Sequence, residues 1–135
     1  MLFEQWEKWE PLPHLEKQYQ LVSVRMEPYA LEIIVQSVVN PMNKKIRFFW
    51  DEEPDAYRKS ENAYRLQLLS SLARRYSGTL DLSGSFFTVQ ESLFMLWLLK
   101  DEDKVKNTSN NHWVIITSYH VIEVISRCDP QVTLV

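Results

Sequence analysis

Two apolar runs separated by three residues constrain this chain more than any other feature of its sequence. The runs cover residues 113–117 and 121–125, and both are rich in valine and isoleucine. β-Branched side chains have restricted χ1 angles and pack well on a pleated surface. The pattern therefore predicts two antiparallel strands at the middle of a sheet, against which the rest of the chain packs.

The length and the apolar content predict one folded domain. The chain has 135 residues, of which 45% are hydrophobic and 13% aromatic, and this composition is typical of a globular core. Trp6 and Trp9 have a spacing that predicts a short amphipathic helix over residues 2–9, which the prolines at 11 and 13 end. We expect residues 1–13 to form a flap over a core made by residues 14–135. The alternative is an exposed aromatic hook for a partner.

Periodicity along the chain predicts the order β-β-β-α-(β)-α-β-β. Alternating apolar residues predict strands over 18–27, 31–36 and 45–50, connected as an antiparallel meander. Helical spacing predicts a helix over about 60–76 with Ser60 as its N-cap. Thr88 and Glu91 match a capping box that would open a second helix, apolar around most of its circumference, and residues 100–111 are expected to form a solvated loop. The result is an α+β fold: a two-layer sandwich with a mainly antiparallel sheet of five to six strands and two main helices on one face.

Composition also argues against several classes of function. With two glycines in the whole chain, a glycine-rich phosphate loop is not expected, and no cofactor is expected either. The net charge of -3 makes nucleic acid a poor partner. The histidines do not have the spacing of a metal site, and Cys128 is expected to be a buried small side chain. The longest apolar run, 93–99, is too short to cross a membrane, and the first residues do not resemble a signal peptide, so a cytoplasmic protein is expected.

Acidic residues form two clusters that could carry function. The first cluster follows the third predicted strand and comprises Asp51, Glu52, Glu53 and Asp55. The second cluster follows the second predicted helix and comprises Asp101, Glu102 and Asp103. One interpretation is a negative surface that attracts a basic partner and speeds association. The other is ordinary solvated surface. A calcium loop is disfavoured because the spacing of its ligands is missing.

Several segments together resemble a group of small bacterial proteins. They are Tyr57-Arg58 followed by Glu61, the stretch 86–92 leading into Leu96-Trp97-Leu98, and the two runs of the predicted hairpin with Asp129-Pro130. Proteins of this size, acidity and single-domain α+β architecture look like immunity proteins of polymorphic-toxin systems, and the chain resembles them. The pattern differs at Trp113, where the group has tyrosine, and at Glu123, where it has aspartate.

The resemblance implies a non-catalytic protein that binds a basic toxin domain and occludes its active site. The expected contact comprises the two acidic clusters, with Trp50 or Tyr57 as aromatic anchor. An alternative is a small-molecule-binding or enzymatic domain with a pocket near Tyr57, Arg58 and Glu61. A third possibility is a homo-oligomer that buries the N-terminal tryptophans, so both a monomer and a homodimer remain open.

Overall fold

The computed structural model describes residues 4–16, 18–39, 45–62 and 86–135, and within them the chain forms nine strands and two short helices. The strands are β1 (Gln5–Lys8), β2 (Tyr19–Glu27), β3 (Ala30–Ser37), β4 (Lys45–Trp50), β5 (Ala56–Glu61), β6 (Phe86–Gln90), β7 (Asn111–Ile116), β8 (His120–Ser126) and β9 (Gln131–Leu134). The helices are α1 (Leu93–Leu99) and α2 (Glu102–Asn107). The fold is α+β and consists mostly of antiparallel sheet.

The strands divide between two sheets, whereas the sequence predicted one sheet of five to six strands. The five-stranded sheet has the order β1-β6-β7-β8-β5, and the four-stranded sheet has the order β2-β3-β4-β9. All neighbouring strands are antiparallel. The meander of β2, β3 and β4 was predicted correctly. It does not join β5 because the acidic loop 51–55 carries the chain from one sheet to the other.

The main hydrophobic core lies between the two sheets. Trp50 of β4 contacts Trp113 of β7 with ring centroids 5.8 Å apart, and Phe48 contacts Phe86 at 5.2 Å. The buried residues of this core come from both sheets. Burying aromatic rings of this size removes a large apolar area from water and stabilises the packing of the two sheets.

The predicted central hairpin is confirmed. β7 lies between β6 and β8, and β8 lies between β7 and β5. Both strands are buried on both faces: Trp113 faces the other sheet, whereas Val114 packs with Trp6 on the opposite, outer face. Phe94 and Met95 of α1 and Val105 of α2 also cover this outer face, where they pack against Ile125.

The N-terminal segment forms a strand, so the helix predicted over 2–9 is wrong for its described residues. β1 pairs with β6, with Trp6 opposite Val89. Trp6 is buried on the outer face, and Trp9 packs on Phe48 with ring centroids 5.7 Å apart. A segment this short cannot hold a helix by its own hydrogen bonds, so pairing with β6 determines its conformation.

Two further local predictions are corrected by long-range pairing. Ser60 does not cap a helix, because it lies in β5 opposite Val121; the remainder of that predicted helix, from residue 63, lies outside the described residues. Thr88 pairs with Trp113 in the sheet, so the capping box is absent and the N-cap of α1 is Ser92.

The predicted loop over 100–111 contains α2, which Asp101 caps by accepting hydrogen bonds from the backbone N–H groups of Asp103 and Lys104. The negative charges of this cluster therefore lie at the start of a helix, where the helix dipole favours them. No helix of the described residues is long and apolar enough to span a bilayer.

Candidate functional site

A buried carboxylate on β8 is the centre of a polar network that crosses three neighbouring strands. Glu123 accepts two hydrogen bonds from Arg58 of β5, from Nε at 2.6 Å and from Nη2 at 3.1 Å. His112 of β7 lies on its other side, with Nε2 3.1 Å from Glu123 Oε1. The Oγ of Ser92, in turn, is 2.7 Å from His112 Nδ1. Each polar group therefore has a partner, as burial requires.

The partners of Glu123 keep its carboxyl group ionised. Burial alone raises the pKa of this group, but hydrogen bonds and charge from His112 and Arg58 outweigh burial and hold its pKa well below the ordinary range. Bidentate pairing with a guanidinium is among the strongest polar interactions in proteins. The network therefore contains a stable negative charge beneath the surface.

The network fixes the position of α1, and it does not present a nucleophilic side chain to solvent. Ser92 Oγ accepts the N–H of Met95 as the N-cap of α1, and the residue is almost completely buried. His112 is equally buried and touches the ring of Phe94, with centroids 5.6 Å apart. Of the four residues, Arg58 is the only one that reaches solvent, since 44% of its side chain is exposed. The arrangement fixes the start of α1, and therefore its aromatic residues, relative to the sheet.

Arg58 and α1 together border a surface cleft. The guanidinium carbon of Arg58 lies 4.0 Å from the centre of the Phe94 ring, which is a cation–π contact. The adjacent cleft has a volume of about 490 Å³ and is lined by Met26, Glu53, Pro54, Asp55, Ala56, Tyr57, Arg58, Phe94 and Trp97. Trp97 is 69% exposed and Tyr57 is 42% exposed. A large aromatic side chain left this exposed marks a possible contact surface.

The charge of the cleft is negative. Arg58 is paired with Glu123, which neutralises its charge. Within the described part of the chain, the exposed carboxylates of Glu53 and Asp55 have no ion pair. They therefore contribute two uncompensated negative charges beside two exposed aromatic rings.

The structure brings together part of the contact set expected from the sequence. Glu53, Asp55 and Tyr57 line the cleft, whereas Asp51 and Glu52 are exposed in the same loop but do not line it. Trp50 is completely buried in the core, so its assignment as a contact residue is wrong. Its side chain faces the other sheet because it alternates with the outward-facing Phe49 along β4.

The second acidic cluster lies close to the same helix. Lys100 is the only residue between the end of α1 and Asp101. Asp55 of the first cluster also lines a second cleft, together with Leu98 and Leu99 of α1. Both clusters therefore border α1.

The alternative pocket was predicted in part. Tyr57 and Arg58 line the cleft, but Glu61 lies at the other end of β5, opposite His120. The partner of Arg58 is Glu123 and not Glu61.

Sequence reasoning missed Glu123, His112, Ser92, Phe94 and Trp97 as parts of this site. A signal for Glu123 was available, because a lone carboxylate inside an apolar strand requires a cationic partner. No such signal distinguished Trp97 from the other apolar residues of α1. Within the described residues, no group of His, Cys, Asp and Glu side chains is placed to hold a metal ion.

Comparison with known proteins does not identify a function, so the function must be inferred from the contacts described above. No protein family, no curated protein and no solved structure matches the chain.

Proposed function

We propose that this chain is a non-catalytic binding protein that occludes a basic protein partner, and that a bacterial toxin domain is the first candidate for that partner. The contact surface is the aromatic–acidic face, formed by Glu53, Asp55, Tyr57 and Trp97. The observation that carries the proposal is the exposure of Trp97 beside the two unpaired carboxylates. The choice of a toxin as the candidate partner rests on the resemblance of the sequence to immunity proteins.

The aromatic residues of this face suit a binding role. Tryptophan and tyrosine supply much of the binding energy at protein interfaces when they become buried there. Trp97 contacts Phe94 with ring centroids 5.9 Å apart, and Phe94 is buried under Arg58. Trp97 therefore rests on a buried ring, and a side chain that is already packed on one side loses less entropy when it binds.

The charges of the face select the kind of partner. Glu53 and Asp55 attract a positively charged surface and repel a negative one, which affects association rate and specificity. Asp101, Glu102 and Asp103 follow α1 after one residue and place further carboxylates near its C-terminal end. The active-site clefts of enzymes that bind nucleic acid are basic, so a nuclease-like toxin has complementary charge.

Co-purification tests the proposal. The tagged protein is co-expressed with the products of its neighbouring genes, and we expect a one-to-one complex with a basic domain whose affinity falls as salt is raised. Trp97→Ala is expected to weaken this complex at least about tenfold, as expected for an interface hot spot. Tyr29→Ala and Tyr119→Ala are matched controls, because these rings are 75% and 74% exposed and neither lines the cleft.

Two results would contradict the proposal. One is the absence of any stable complex with those gene products. The other is a complex that Trp97→Ala and the two tyrosine variants affect equally, because the aromatic–acidic face would then have no special role.

A small-molecule site is the second candidate function. It is favoured by the volume of the cleft, which lies within the range of about 300–1,000 Å³ typical of ligand pockets. In this case a thermal-shift screen with metabolites should reveal a ligand that raises the Tm. Arg58→Met should abolish that shift if the guanidinium contacts the ligand.

A further inference from the structure

We infer that the cleft receives an arginine side chain of the partner, an inference that rests on the proposed function and specifies how the aromatic–acidic face recognises its target. The guanidinium would lie between the exposed aromatic rings and the carboxylates of Glu53 and Asp55.

The first argument is electrostatic. Among the described residues, Arg58 is the one cation that lines the cleft, and it donates two hydrogen bonds to buried Glu123 and is held there. Glu53 and Asp55 lie in the same lining, and no described cation pairs with them. The cleft therefore carries net negative charge, and a cation from a binding partner would complement it.

The second argument is the chemistry of the walls. Tyr57 and Trp97 line the cleft and are exposed, and aromatic rings attract cations through their quadrupoles. The molecule already stacks guanidinium groups on aromatic rings, with Arg58 4.0 Å from the Phe94 centroid and Arg47 4.2 Å from the Phe49 centroid.

These walls favour arginine over lysine. A guanidinium is planar and weakly hydrated, so it can stack on a ring while its N–H groups donate to carboxylates on its edge. An ammonium group is compact and strongly hydrated, and it loses more hydration on entering a cleft with apolar walls.

Titration with a small arginine probe tests the inference directly. We would add N-acetyl-arginine-methylamide to ¹⁵N-labelled protein and follow the indole N–H of Trp97, identified by its loss in Trp97→Phe. The expected result is a saturable shift of that signal. N-acetyl-citrulline-methylamide, which has a similar shape without the charge, should cause no shift, and the lysine analogue should bind several-fold more weakly.

Charge variants in one loop provide matched controls. Glu53→Gln with Asp55→Asn should weaken probe binding about tenfold, because two exposed ion pairs are lost. Asp51→Asn with Glu52→Gln removes the same charge from the same loop outside the cleft and should change affinity less than about twofold. The inference is overturned if the probe causes no shift, if citrulline binds as well, or if both double variants weaken binding equally.

The partner complex separates this inference from the proposed function. If the complex forms and the Glu53→Gln, Asp55→Asn variant binds as tightly as the original protein, the arginine site and the role of these two carboxylates in the face are wrong, whereas the binding of a protein partner stands. If the arginine probe binds as expected but no protein complex exists, the binding function is wrong and the cation site stands.

Discussion

Replacing Glu123 with glutamine tests whether the buried network stabilises the fold. Among its contacts, the carboxylate accepts two hydrogen bonds from Arg58 and one from His112. An amide has a single oxygen, and its NH₂ group would face a donor. Removing one partner of a buried ion pair costs about 3–5 kcal/mol. We expect the lower end, about 3 kcal/mol, because the partly exposed Arg58 can turn to water after the substitution.

The expected loss is large enough to measure in two ways. For a chain of 135 residues it corresponds to a fall in Tm of about 10 °C. Urea unfolding followed by tryptophan fluorescence gives the free energy directly. Glu32→Gln is the matched control: Glu32 accepts from Arg47 at the same 2.6 Å, but both side chains are partly solvated. This control should cost about 1 kcal/mol or less.

The pH dependence gives an independent check with a defined sign. Because the pKa of folded Glu123 lies below its ordinary value of 4.5, the unfolded chain binds more protons at low pH. The stabilisation is complete above about pH 5.5, begins to be lost as the pH falls below about 4.5, and continues to be lost as the pH approaches the lowered pKa of the folded protein. The difference in the free energy of unfolding between the original protein and the Glu123→Gln variant should therefore become smaller in acid. An equal cost for the Glu123 and Glu32 variants, or a difference that does not change with pH, would refute the reasoning.

Four further substitutions test other contacts. Ser92→Ala removes the N-cap of α1 and the partner of His112, and should cost about 1–2 kcal/mol in urea unfolding. Trp50→Phe should cost less than about 1.5 kcal/mol. The buried Nε1 of Trp50 has no partner among the described residues, so removing it offsets part of the packing energy that is lost. A larger loss of stability would show that this nitrogen is solvated. Phe94→Ala should cost about 3–5 kcal/mol, whereas Trp97→Ala should stay within about 0.5 kcal/mol, and equal losses would contradict the assignment of Trp97 to the surface.

Local pattern predicted the strands whose partners are near in sequence. The third predicted strand has the bounds of β4, and the central hairpin was correct, since alternation and β-branched residues reflect burial directly. The division into two sheets depends on pairings such as β1 with β6 and β4 with β9, which join distant residues. No local pattern specifies such pairs. Trp6 and Trp9 have helical spacing although they face different cores.

The site was less predictable than the fold for the same reason. Glu53, Asp55 and Tyr57, which line the cleft, were proposed from the sequence because charge clusters and aromatic residues can be identified there. Trp97 was assigned to a buried helix, but α1 has only seven residues and packs one side against the sheet. The start of α1 is held by the contact of Ser92 with His112, and these residues are 20 positions apart in the sequence.

The central position of β7 and β8 in the five-stranded sheet has a consequence for folding during synthesis. The meander of β2, β3 and β4 can pair as soon as it leaves the ribosome. β1 and β5 must wait for strands far along the chain, since β5 pairs with β8 and β1 reaches the hairpin only through β6. About 100 residues separate Lys8 from Asn111, which at ordinary translation rates takes roughly 5–20 s. During that interval the apolar side chains of the unfinished sheet remain available to chaperones and to aggregation.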